Sequence, residues 1–132
     1  MERRILLVAS VLLGACGSRL GRLQDGDLVF QTSLSAQSAA IQHATHSPYS
    51  HVGMVFLQNG HPFVLEAEGQ VKFTPLPDSI ARGEGHRYAA KRLRDARLLS
   101  DPKKLDALRK AAYAYEGKPY DPYFAWSDDK IY

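Results

Sequence analysis

The chain is 132 residues long, 45% hydrophobic, with a formal net charge of +3. That length allows one domain with a modest core, and the composition excludes a disordered or fibrous protein. Seventeen Lys and Arg against 14 Asp and Glu are too evenly balanced to indicate a nucleic-acid partner, and a single cysteine excludes an internal disulfide.

Residues 1–15 differ in kind from the rest. Glu2, Arg3 and Arg4 give a charged start, Ile5 to Leu13 an apolar core, and Leu13-Gly14-Ala15-Cys16 a small-residue close. This pattern predicts a secretory signal, too short to span a membrane. Gly17 to Gln24 is polar and tether-like, so the expected organisation is a signal peptide at 1–15, Cys16 and tether at 16–24, and one domain over 25–132.

Asp25-Gly26-Asp27 reads as a turn and Leu28-Val29-Phe30-Gln31 as a short apolar strand. Ser33 to Thr45, with its alanines, Ile41 and capping serines, predicts a helix of about three turns. His43 and His46 stand i, i+3 near its end. No carboxylate or further histidine completes a ligand set there, so no metal or organic cofactor is expected.

Ser47-Pro48-Tyr49-Ser50 leads into His51-Val52-Gly53-Met54-Val55-Phe56-Leu57. Asn59-Gly60 follows, and a second apolar run, Phe63-Val64-Leu65-Glu66-Ala67, returns. Asn-Gly between two such runs predicts a β-hairpin, because a type I′ turn needs positive φ at both central residues. A symmetric loop there pairs Gln58 with His61 and Leu57 with Pro62, and the count continues to Gly53 opposite Glu66 and His51 opposite Glu68. Alternation sends His51, Glu66 and Glu68 to one face, with Glu68 across and Glu66 on the diagonal. A carboxylate beside an imidazole fixes its tautomer and stabilises its cation, as a general base serving a nucleophile requires. The pattern leaves open which glutamate partners His51, and whether the histidine is catalytic or a structural strand end.

Val71 to Leu76 alternates as a further strand ended by Pro75 and Pro77. Asp78 to Arg82 is a short helical turn, and His86 to Leu93 one more strand after Gly83 and Gly85. Basic residues gather between Arg82 and Lys104, as on a solvated face or one that meets anionic headgroups or a wall polymer. The clearest helix has Asp101 as N-cap, Pro102 in its first turn and Gly117 just past its end. Leu105, Leu108, Ala112 and Tyr115 form its apolar stripe, expected to pack on the sheet. Lys118 to Trp126 is a proline-broken aromatic loop suited to stacking a sugar or peptide, or to plugging the end of a sheet. Ser127-Asp128-Asp129 reads as the start of another helix.

Four segments, Gly26-Asp27-Leu28-Val29-Phe30, Ser50-His51-Val52-Gly53, Val64-Leu65-Glu66-Ala67, and Gly117-Lys118-Pro119-Tyr120-Asp121 with Ser127 to Tyr132, run in the order of one family. Together they resemble the permuted NlpC/P60 cysteine hydrolases of the YiiX/YebB-like group, relatives of papain-like amidases. The resemblance implies an α+β fold, a small papain-like antiparallel sheet or partial barrel packed on helices. It also implies a Cys-His-polar site with His51 as general base and Glu66 as the residue that orients it. In that group the nucleophilic cysteine comes last, opening a helix in a Tyr-Cys-Ser-Glu-Leu type motif. The resemblance therefore places it after Tyr132, and the expectation is a truncated member that lacks its thiol.

Leu13-Gly14-Ala15-Cys16 resembles the lipobox of bacterial lipoproteins, which implies cleavage before Cys16, lipidation of its thiol and anchoring in the cell-envelope membrane. That accounts for Cys16 more simply than a role as nucleophile. The implied reaction is thiol acyl transfer on an amide or ester, with cell-wall peptide, N-acyl amide and lipid ester all open as substrates. The alternative is a non-catalytic envelope lipoprotein that binds a cell-wall or lipid ligand.

Overall fold

A computed structural model describes residues 22–95, 97–121 and 123. The expected leader, Cys16, residues 122 and 124–126 of the aromatic loop and the Ser127 helix start lie outside the described residues.

Strands β1 (Leu28–Gln31), β2 (His51–Gln58), β3 (His61–Glu68), β4 (Gln70–Pro75) and β5 (Ala89–Lys91) form one antiparallel sheet in the order β4-β3-β2-β1-β5. Helices α1 (Ser38–Thr45), α2 (Leu76–Ala81), α3 (Arg97–Ser100) and α4 (Pro102–Tyr115) complete a mixed α+β fold. The β2–β3 hairpin turns at Asn59 (φ 51°) and Gly60 (φ 80°), both left-handed as a type I′ turn demands. Gln58 then pairs with His61 and Leu57 with Pro62.

Alternation gives the sheet two buried faces. Val29, Val55 and Val64 form the core of one, with Leu23, Leu76, Tyr88 and Ala90 packed against them. On the other, Phe56 meets Phe73 edge-on at 5.8 Å, and Phe73 lies 4.9 Å from Tyr113 of α4. Burying each of Val55, Val64 and Phe56 contributes roughly 1.5–3 kcal/mol. Arg109 turns inward from α4, donating to Asp25 Oδ1 at 2.7 Å and to the Leu57 carbonyl at 3.1 Å. It ties the helix to the opening turn and to the far end of β2.

Several boundaries differ from expectation. Helix α1 starts at Ser38, not Ser33, because the first serines have other partners. Ser33 forms a bridge with Gly83, its N–H donates to Ser50 Oγ at 2.8 Å, and its hydroxyl donates to Ser35 Oγ at 2.7 Å. The strand expected over His86 to Leu93 shrinks to β5, Ala89–Lys91, since Gly85 (φ 60°) and His86 (φ 52°) are left-handed. Helix α4 keeps its expected cap, with the Lys103 N–H donating to Asp101 Oδ1 at 2.9 Å. Its stripe is core only in part: Ala112 is buried, whereas Tyr115 is 46% exposed. The chain beyond α4 returns to cover the edge of β4, where Val71 N–H donates to the Lys118 carbonyl and Gly117 N–H to the Val71 carbonyl, each at 2.8 Å.

Candidate active site

The site begins with a parting of strands. Pairing between β2 and β3 runs from Gln58–His61 to Met54–Leu65. Beyond it β2 continues alongside β1 as far as His51–Gln31, and β3 alongside β4 as far as Glu68–Gln70. A cavity of about 660 Å³ opens there, with His51 and Val52 on one lip and Leu65, Glu66 and Ala67 on the other. Ile41, Ser50, Val71, Tyr115 and Tyr120 line the rest of its described wall, so the wall is mostly apolar. Gly53 sits just inside the parting, where an added Cβ would stand 2.3 Å from Val64 Cγ1 and 3.0 Å from the Leu65 carbonyl oxygen. Only a residue without a side chain lets the strands approach so closely.

His51 Nε2 lies 2.8 Å from Glu66 Oε2 across this opening. The Glu66 side chain is fully buried and that of His51 is 19% exposed. Glu68, which the hairpin count puts straight across from His51, bonds to Lys72 instead. Extrapolated register favours Glu68, but the ladder ends at Met54–Leu65, and the diagonal glutamate is the one within reach.

Glu66 is held at both oxygens. Ser79 Oγ of α2 donates to Oε2 at 3.0 Å, and Arg82, at the C-terminal cap of the same helix, donates through Nη2 to Oε1. Burial by itself would raise the carboxyl's pKa. Hydrogen bonds from His51 and Arg82, the Arg82 charge and the neighbouring Thr74 hydroxyl outweigh that and hold it at about 2, against an ordinary 4.5. Thr74 Oγ1 is buried without a hydrogen bond of its own, so its contribution is that of a nearby dipole. Glu66 is therefore an anion at neutral pH. It can only accept, so the proton of a neutral His51 sits on Nε2 and the lone pair on Nδ1.

The approach to His51 is fixed as well. Ser50 N–H donates to the Gln31 carbonyl at 3.1 Å, and Ser50 Oγ lies 2.7 Å from Ser38 Oγ of α1. Gln31 Nε2 donates to the Ser79 carbonyl at 3.2 Å, which fastens α2 to β1. Ser79, Arg82 and Gln31 carry no motif that marks them as residues of the site. The available signal was the i, i+3 spacing of Ser79 and Arg82 on a helical turn following β4.

Among the described residues no group of three or more His, Cys, Asp or Glu is placed to hold a metal ion. His43 and His46 are neighbours, with ring centroids 6.5 Å apart, and both are exposed. Arg82, placed within the basic run, points in part to Glu66 and not only to solvent.

Comparison with known proteins adds three findings. The sequence model described as "permuted papain-like amidase enzyme, YaeF/YiiX, C92 family" matches residues 22–132. The chain is 43% identical over all 132 residues to the uncharacterized protein YiiX of Escherichia coli strain K12, 63% of whose length it covers. It superposes with a TM-score of 0.76, at 50% identity, on the crystal structure of "metalloprotein yiiX" from Escherichia coli O157:H7, over 83% of this chain and 59% of that one. The chain thus spans less than two thirds of either relative.

Proposed function

Because the chain belongs to the C92 family of permuted papain-like amidases, we propose that it carries the base side of a thiol acyl-transfer site, with His51 as general base and Glu66 as its orienting anion. The observation that supports this most directly is the 2.8 Å contact between His51 Nε2 and a Glu66 carboxylate buried beside an open cleft. With Nε2–H engaged, Nδ1 is free to take the proton of a thiol. The thiolate attacks an amide or ester carbonyl, His51 returns the proton to the leaving amine or alcohol, and water hydrolyses the thioester. Glu66 stabilises the imidazolium that forms between these steps. The resemblance places the attacking cysteine after Tyr132, so residues 22–132 by themselves are expected to be inactive. The apolar cleft wall favours a substrate with an apolar acyl part.

In this reading Cys16 is the lipidated residue of an exported lipoprotein anchored in the bacterial cell-envelope membrane, with a peptide, acyl-amide or lipid-ester substrate. The support is the charged start, apolar run and small-residue close of residues 1–16.

The solved relative is described as a metalloprotein. Among the described residues here the donor set does not suit a cation: Glu66 already neutralises Arg82, and no three-ligand cluster stands elsewhere. No step is assigned to a metal.

The test is hydrolysis of N-acyl amide and ester substrates by the 132-residue chain and by a polypeptide extended through the cysteine. The extended form should turn over substrate and lose at least about a hundredfold on His51→Ala. Turnover by the 132-residue chain that survives His51→Ala would overturn the assignment. Tight ligand binding without turnover in either form would favour a binding lipoprotein.

A further inference from the structure

Arg92, just past β5, holds the Asp27 carboxylate and donates through Nη2 to the Arg22 carbonyl at 3.1 Å. The chain therefore enters the described fold alongside the end of β5. Over residues 91–98, next to that entry, the cations Lys91, Arg94 and Arg97 are exposed, and the one acid of the stretch, Asp95, pairs with Arg97. Two leucines stand exposed among them, Leu93 at 50% and Leu98 at 41%. Charge alone would describe a solvated face. Cations interleaved with exposed leucines suit a layer of lipid headgroups, whose phosphates meet the charges while the acyl boundary takes the leucines.

We propose that the surface made by Arg22 and residues 91–98 docks the domain on the anionic headgroups of the membrane that holds its lipid anchor. This rests on the reading of Cys16 as the lipidated residue. Six residue steps separate Cys16 from Arg22, and fully extended they span at most about 22 Å. The entry to the fold stays within that distance of the bilayer, so its cations are held where attraction to the headgroups can act. The sheet register sets the orientation that follows. Leu28 of β1 pairs with Lys91 and with Met54, whereas Gln31, at the other end of β1, pairs with His51. The docking surface thus lies at the end of the sheet away from the cleft. A docked domain keeps its cleft mouth open to the aqueous side.

The test takes residues 16–132, which contain every described element, with Cys16→Ser so that neither leader nor lipid contributes. Co-sedimentation is measured with vesicles of equal parts phosphatidylglycerol and phosphatidylcholine, and with phosphatidylcholine alone. Binding should require phosphatidylglycerol. Each cation at the surface contributes about fivefold, so Arg94→Gln should weaken binding about fivefold and Lys91→Gln, Arg94→Gln and Arg97→Gln together about a hundredfold. Lys72→Gln, on β4 at the opposite edge of the sheet, should change it less than about twofold. A polarity-sensitive fluorophore on Leu93→Cys should shift to the blue on the vesicles, and one on Leu34→Cys, exposed at the cleft end, should not. No binding to the anionic vesicles, equal losses from Lys72→Gln and Arg94→Gln, or an unshifted label at Leu93 overturns the proposal. Binding to soluble polyphosphate as tight as to vesicles, with the label unshifted, would make it a polyanion site instead. The anchor is read separately, by incorporation of labelled palmitate into the full chain in cells. Failure of that labelling with vesicle binding intact defeats the reading of Cys16 alone, and a lipidated chain whose surface ignores anionic vesicles defeats the docking alone.

Discussion

Asp27 and Arg92 stand 65 positions apart and meet as a two-pronged ion pair, Arg92 Nε and Nη2 each donating at 2.7 Å to a different oxygen of the Asp27 carboxylate. Asp27 is completely buried, and the Gln24 N–H adds a third bond at 2.9 Å. Arg92→Met removes the counter-charge and leaves the anion inside. Unfolding in urea at neutral pH should show a loss of about 3–5 kcal/mol. The double replacement Asp27→Asn with Arg92→Met should recover a large part of it. A loss below about 1 kcal/mol in the single variant would show that the pair is as weak as an exposed one.

Glu66 makes stability depend on pH with a definite sign. Its folded pKa lies at about 2, below the ordinary 4.5, so its contribution is fully present above about 4.5 and is lost as the pH falls toward 2. Glu66→Gln should be destabilised relative to the parent at pH 7, and the gap should narrow steadily between pH 4.5 and 2. Thermal melts of both proteins across that range read the effect. A gap independent of pH would mean that the ionised form is not what the fold favours.

Gly53 sets how closely β2 and β3 approach. A methyl group there meets Val64 Cγ1 at 2.3 Å, so Gly53→Ala should cost about 1–3 kcal/mol by overpacking. Val64→Ala alone also destabilises, by opening a cavity. The double variant should be less destabilised than the sum of the two, because each relieves the other's defect. Additive losses would place the strain at the Leu65 carbonyl instead.

At the start of α4, Asp101→Ala removes the acceptor of the Lys103 N–H. A loss of about 1 kcal/mol is expected in urea denaturation, with Asp101→Ser restoring most of it.

What was legible in the sequence is what local chemistry decides. Asn59-Gly60 prescribes its turn, the turn prescribes the register, and the register puts His51 and Glu66 on one face. Asp101, Pro102 and Gly117 bracket α4 for similarly local reasons. The choice of Glu66 over Glu68 was legible only through the family resemblance and not in the register, because counting along a ladder assumes that the ladder continues, and this one stops at Met54–Leu65. Ser79 and Arg82 were hidden for a different reason: their roles arise only when α2 packs against β3 and β4. Tyr115 satisfies the helical period of the stripe, but period says nothing of which positions along it are covered, and Tyr115 lies in the wall of the open cleft.

The parting of β2 from β3 has a mechanical consequence. Each lip is bonded along its outer side, β2 to β1 and β3 to β4, so the two lips behave as stiff jaws joined at the Met54–Leu65 hinge. The His51–Glu66 bond is a latch spanning their gap.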